Sequence, residues 1–227
     1  MRNTLPLIAA AVCIGACAPA FADAPRWYAG LAGGQSRTGD ELVRNRESTV
    51  VNASFVESDF DSTDSAWKVF GGFRVNDMLA IEASYVDLGQ STLTTHTVTP
   101  GLAAGAVRLD RKISGFGVDA VLSAPVAPRF TVFGRVGAFR SRLEADASLT
   151  GAIEFTDGSG ERSRSVTLDE TVAHFGAGAE WRLRPDMALR LEWERCRNVG
   201  KAFAIGGTGT TGEADTDLVS LGVVMRF

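Results

Sequence analysis

Apolar and polar positions alternate with a period of two along most of the chain, and the closing stretch shows the pattern most plainly. From Leu218 to Phe227, Val219, Leu221, Val223, Met225 and Phe227 fall on one face of a strand. Leu218, Ser220, Gly222, Val224 and Arg226 fall on the other. Seven earlier segments alternate in the same sense: Arg26–Gln35, Ser65–Val75, Met78–Leu88, Lys112–Ala124, Arg129–Leu143, about Thr171–Leu183, and Met187–Arg197. In each, one face carries residues such as Trp67, Val69, Phe116, Val118, Leu191 and Trp193, and the opposite face is Gly-rich and charged. Each is long enough to cross a bilayer as a tilted strand of about 9–11 residues. The pattern predicts eight β-strands.

The connections set the topology. Val75-Asn76-Asp77, Pro125-Val126-Ala127-Pro128 and Arg184-Pro185-Asp186 are short and turn-like. About Ser36–Asp64, Gly89–Arg111, Glu144–Glu170 and Asn198–Thr216 are long. Short and long connections strictly alternate, as in an up-and-down membrane barrel with tight periplasmic turns and long external loops. A terminal aromatic on an apolar face suits the closing strand of such a barrel, which makes Phe227 the expected barrel-assembly signal. Large aromatics form two belts: Trp27, Phe73, Phe130, Trp181 and Phe227 near the turns, and Trp67, Tyr85 and Trp193 near the opposite ends. Interfacial girdles of membrane barrels have this placement.

The beginning of the chain reads as an export signal. Met1-Arg2-Asn3 is a short positive region, Leu5 to Ala16 is apolar, and Ala20-Phe21-Ala22 is a small-x-small cleavage site. Residues 1–22 are therefore expected to be removed, leaving a single barrel domain over 23–227. Ile14-Gly15-Ala16-Cys17 also fits a loose lipobox, in which Cys17 would carry lipid. Cleavage after Ala22 leaves about 205 residues, one domain by length, with Cys196 as the sole cysteine. It also leaves 22 basic against 27 acidic residues, a net charge of −5, so nothing points to nucleic acid. With no mature run of about 18 apolar residues, a membrane location requires a closed barrel, in which every backbone group is paired.

Trp27-Tyr28-Ala29-Gly30, Phe70-Gly71-Gly72-Phe73, Arg129-Phe130-Thr131-Val132-Phe133-Gly134-Arg135-Val136-Gly137 and the closing Val223-Val224-Met225-Arg226-Phe227 resemble the eight-stranded transmembrane domain of the OmpA-like outer-membrane proteins. The resemblance covers essentially the whole mature chain and implies the fold more than the function. The sequence stops at the barrel, so the cell-wall tether of the family's two-domain members, a C-terminal peptidoglycan-binding domain, is not expected.

The faces opposite the apolar ones carry Lys68, Arg74, Glu82, Asp119, Arg135, Glu180, Arg182, Arg190, Glu192 and Glu194. An eight-stranded barrel has room inside only for side chains. Charges in so narrow a lumen must pair, so these ten are expected to form a salt-bridge network that plugs it. The alternative is that they merely hydrate a wet interior.

Other motifs carry less. Gly207-Thr208-Gly209-Thr210-Thr211-Gly212 matches G-x-G-x-x-G but lacks the strand–helix setting of a dinucleotide site, and reads as an external loop. The carboxylates of Asp59-Phe60-Asp61-Ser62-Thr63-Asp64 lack the Gly and terminal Glu of a calcium loop and read as a solvated acidic loop. Of the two histidines, His96 is assigned to a loop and His174 to the lumen face; the setting His174-Phe175-Gly176-Ala177 does not match the His–Ser motif of membrane deacylases. No nucleophile–base–orienter set can be named. The expectation is a non-catalytic structural or surface-exposed outer-membrane protein without cofactor or metal. Its expected partners are outer-membrane lipid, the barrel-assembly machinery, and a possible external ligand or host surface at the loops. A narrow pore for ions or small solutes is the alternative, and a lipid-modifying enzyme a third.

Overall fold

The computed structural model describes residues 26–39, 54–98, 105–151, 153–155, 160–200 and 214–227. The strands are β1 (Trp27–Thr38), β2 (Ser54–Asp61), β3 (Thr63–Arg74), β4 (Leu79–Val98), β5 (Gly105–Ala127), β6 (Phe130–Thr150), β7 (Ser163–Arg182), β8 (Met187–Val199) and β9 (Ala214–Arg226). Every pairing is antiparallel. β1 lies between β3 and β9, and the ladder continues through β8, β7, β6, β5 and β4 back to β3, closing a barrel. Among the described residues β2 pairs with the far end of β4 and is separated from β3 by Ser62 alone, so the two form one barrel strand in two pieces. The circuit therefore has eight strands and no free edge through its middle.

The break in that strand faces a bulge in β4 between Asp87 and Gln90. Gly89 sits there with φ of 74°, a left-handed conformation in which a side chain would be strained. Asp87 Oδ1 accepts from the Gly89 amide at 2.9 Å, and Asp64 Oδ2 accepts from the Gln90 amide at 2.7 Å. Asp59, Asp61 and Asp64 thus lie along extended strand rather than in an acidic loop.

At one end, the turn end, hairpins are tight. Asn76 Oδ1 accepts from the amides of Met78 (2.9 Å) and Leu79 (2.7 Å), an Asx-type turn between β3 and β4. β5 runs on through Pro125 to Ala127, leaving only Pro128-Arg129 before β6. The described ends of the chain lie here too: the Phe227 amide donates to the Trp27 carbonyl at 2.9 Å.

At the other end, the hairpin end, the structure corrects the sequence reading. Gly89–Arg111 and Glu144–Glu170 are mostly strand, because β4 to β7 run 20, 23, 21 and 20 residues. His96 is on β4, paired with Ala106, and not in a loop. The period of two continues, but its sense inverts. Near the turn end, β6 points Val132 and Val136 outward and Arg135 inward. Beyond Phe139 the outward residues are Arg140, Arg142, Glu144 and Asp146, and the inward ones are Leu143, Ala145, Ala147 and Leu149. An apolar outer band only part of the strand's length is what a bilayer requires, and the extension beyond it reverts to the layout of a water-soluble barrel.

The predicted outward faces are exposed: Leu31, Ile81, Phe116, Val118, Leu122, Val136, Leu191, Val219, Leu221 and Val223 all lie open on the barrel wall. Aromatics pair along the belts, with ring centroids 4.8 Å apart for Trp27–Phe73 and 5.0 Å for Tyr85–Phe116. Each such pair contributes about 0.5–1.5 kcal/mol beyond its burial. Inside, among the described residues, two large apolar clusters and a small one around Leu93 and Ala214 fill the barrel. One, toward the turn end, holds Tyr28, Ala32, Phe70, Ala80, Val121, Phe133, Ala188 and Val224. The other fills the hairpin end and includes Val86, Leu88, Ile113, Phe139, Leu143, Leu149, Ile153 and Phe155. Full burial of each Leu, Ile or Phe there contributes about 1.5–3 kcal/mol. The Gly207–Gly212 motif and residues 1–22, with Cys13 and Cys17, lie outside the described residues.

Candidate functional site

Between the two apolar clusters the inward faces of β3 to β8 bring charges together. Arg135 on β6 is the hub. Its Nη2 lies 2.5 Å from Asp119 Oδ2 and 3.1 Å from Glu82 Oε1, and its Nη1 lies 2.7 Å from Glu192 Oε1. Glu194 Oε1 is also 2.7 Å from Nη1, but makes no aligned hydrogen bond, so it is held by charge and proximity. Lys68 donates to Glu192 and, at 2.8 Å, to Glu194. Arg190 reaches Glu82 and Glu180, each at 2.7 Å. The side chains of Lys68, Glu82, Asp119, Arg135, Glu192 and Glu194 are at most 2% exposed.

Backbone register explains how residues so distant in sequence meet. At several directly paired positions an inward carboxylate faces a glycine, while Glu82 stands opposite Asp119 and Glu180 opposite Arg190. Asp119 stands opposite Gly137 in the β5–β6 ladder, where an added Cβ would lie 2.0 Å from the Val118 carbonyl oxygen. Glu192 stands opposite Gly178 and Glu194 opposite Gly176. The inward glycines of β6 and β7 leave the room into which the carboxylates of β5 and β8 extend.

The structure separates the ten sequence-predicted charges into groups. Lys68, Glu82, Asp119, Arg135, Glu180, Arg190, Glu192 and Glu194 are joined by ion pairs into one connected set. Arg74 and Arg182 are not in it. Both lie at the turn-end mouth, Arg74 half-buried and Arg182 exposed. Three residues outside the predicted ten complete the set. Tyr28 donates its hydroxyl to Glu82 Oε2 at 2.9 Å. Arg226 pairs with Glu180. His174 bridges, with Nδ1 3.0 Å from Asp119 Oδ1 and Nε2 3.3 Å from Glu194 Oε1. Their inward positions were legible from the alternation; their partners, on other strands, were not.

Five carboxylates thus face four permanently charged cations, and a protonated His174 brings the sum to zero. Arg190 also lies over aromatic faces, 4.4 Å from the Phe70 centroid and 4.8 Å from that of Phe133. The apolar cluster at the turn end therefore packs directly against the charges. As for catalysis, both ring nitrogens of His174 face carboxylates, and the buried Ser84 hydroxyl makes no hydrogen bond to the ring. Among the described residues, no cluster of His, Cys, Asp and Glu is arranged to hold a metal ion.

Comparison with known proteins gives a consistent family. The model of the OmpA-like transmembrane domain matches residues 22–227. Outer membrane protein A of Shigella flexneri is 28% identical over 159 residues, 70% of this chain and 39% of that protein. Outer membrane protein A of Salmonella typhi is 25% identical over 225 residues, 97% of this chain and 54% of that protein. The chain thus spans about half or less of the length of these curated relatives. Among solved structures, the outer membrane protein OprG of Pseudomonas aeruginosa is similar with a TM-score of 0.46 and 11% identity, over 89% of this chain and 98% of that one. Ail, the attachment invasion locus protein of Yersinia pestis, is similar with a TM-score of 0.45 and 14% identity, over 89% and 99%. Among the described residues no helix is long and apolar enough to cross a membrane, and the crossing is made by strands. The protein resides in the outer membrane: the chain belongs to the OmpA-like transmembrane domain family.

Proposed function

We propose that the protein is a closed, non-catalytic outer-membrane barrel whose lumen is sealed by its ion-pair network and whose extended hairpins form a surface outside the cell. The observation that carries this reading is the connected set around Arg135, with side chains at most 2% exposed, packed between two apolar clusters. A conducting path would need water beside these charges. Instead their partners are one another. The hairpins carry mixed charge outward, including Arg108, Lys112, Arg142, Glu144 and Asp146, and provide the contact surface for an external ligand or host surface. Residues 1–22 are removed during export, and the closing strand ending at Phe227 engages the assembly machinery.

Conductance across a planar bilayer tests the seal. Purified protein is expected to give no sustained current under an applied potential. A steady ohmic channel in most insertions would contradict the sealed lumen and favour a narrow pore.

A further inference from the structure

Among the described residues, the apolar interior of the hairpin end holds a few buried hydroxyls and one buried guanidinium. Arg111 on β5 points inward and is 1% exposed, with Leu109 and Ile113 beside it on the same face. Its register partners are Ser91 on β4 and Ala145 on β6. Nη2 donates to the Val199 carbonyl at 3.4 Å, a long bond. Among the described residues, Nε and Nη1 have no hydrogen-bond partner, and neither has the Ser91 hydroxyl, itself buried on the adjoining strand. The carboxylate that acts on Arg111 from a distance, Glu170, accepts from the Gly200 amide at 2.8 Å. It is not within ion-pair range of the guanidinium. Burial pushes the Arg111 pKa down to about 10, with Glu170 opposing, so the group is still charged at neutral pH.

A guanidinium has five N–H donors and no acceptor. Among the described residues most of these are unmade, and no carboxylate lies within ion-pair range of the charge, a costly state inside an apolar core. The neighbouring hydroxyl is a further donor, facing the same interior. We propose that Arg111 and Ser91 hold a small inorganic anion, of the size and charge of chloride, inside the hairpin end of the barrel. The close apolar surroundings, with Ala145 opposite and Ile113 and Leu143 nearby in the same cluster, suit a monatomic ion rather than an extended ligand. The ion supplies the missing charge and ties β4 to β5 and, through Val199, to β8. A bound water would satisfy some donors but leave the charge unbalanced.

Two experiments on the full barrel test this. Unfolding in urea is followed in detergent at constant ionic strength, with sodium chloride or sodium gluconate. An anion at about ten times its dissociation constant shifts the equilibrium about tenfold toward the folded form. Chloride is therefore expected to raise the folded-to-unfolded ratio of the parent by that order, less in Ser91→Ala and not at all in Arg111→Met. Equal stability of the parent in the two salts would overturn the proposal, as would the same chloride response in Arg111→Met. Crystals grown in bromide decide the matter should Arg111→Met not fold. An anomalous peak within hydrogen-bond reach of the guanidinium and Ser91 is expected; a water there, or no peak, refutes the site.

Discussion

Replacing Arg135 with Ala is expected to destabilise the barrel by about 3–5 kcal/mol, the range for removing one partner from a buried charge network. Arg135 lies within 3.1 Å of four carboxylates: Glu82, Asp119, Glu192 and Glu194. Its loss leaves Lys68 to hold Glu192 and Glu194, Arg190 to hold Glu82, and His174 beside Asp119. Four buried carboxylates then share fewer cations than they need, and the cost is that of uncompensated charge rather than of lost packing. Arg135→Lys should recover only part of it, because one ammonium cannot reproduce a planar fork that reaches in two directions. Urea unfolding in lipid vesicles, read by the folded-to-unfolded gel shift of unboiled samples, measures the change. A midpoint for Arg135→Ala equivalent to within about 0.5 kcal/mol of the parent, the range for inconsequential surface changes, would show that the lumen is wet enough to solvate these groups.

Val118→Arg should cost about 2–4 kcal/mol, the range for a cation near the bilayer midplane of a membrane barrel. Val118 is 58% exposed on the outer wall, between Phe116 and Ala120 on the outward face of its own strand. Ala83 and Ala138 flank it on the neighbouring strands. Arg140, opposite Phe116 on β6 and diagonal to Val118, is itself a cation and gives a guanidinium no partner. Ser114→Arg, four residues along the same face, is the control. It lies beside Arg142 and beyond the apolar band, and should change stability little. Insertion yield and vesicle unfolding of the two variants give the comparison. Equal tolerance of both would mean that the Val118 face meets water, and the barrel would then have to be soluble.

The sequence was informative about faces and much less so about extent and partners. Alternation placed Trp67, Val118 and Leu191 outward and Lys68, Asp119 and Glu192 inward, because the period of two is a property of the backbone itself. It did not carry the strands past Leu88 or Leu143. There the sense of the alternation inverts: Leu143, Ala145 and Ala147 face in while Glu144 and Asp146 face out. A stretch judged by the membrane rule of apolar-out reads as a loop, although the ladder is unbroken. Arg111 was lost for the same reason, being assigned to a loop when it lies on the inward face of β5. Within the lumen, a position on the correct face is not yet a contact. Arg74 and Arg182 share the inward face with Lys68 and Glu180, but strand register puts them at the mouth, where water competes for them. His174 and Tyr28 gain their roles from Asp119 and Glu82, 55 and 54 residues away in the chain. Only closure of the barrel brings them together.

The inverted layout, lipid outside and charge inside, is tested most directly by the four tryptophans the chain already carries. Trp27, Trp67, Trp181 and Trp193 all point outward, between 38% and 62% exposed on the isolated barrel. In vesicles of lipids brominated along the acyl chain, the fluorescence of the unmodified protein should be strongly quenched, most by bromine near the headgroup, where the two belts lie. Aqueous acrylamide should have little effect. Strong quenching by acrylamide with none from brominated lipid would contradict the membrane-spanning arrangement.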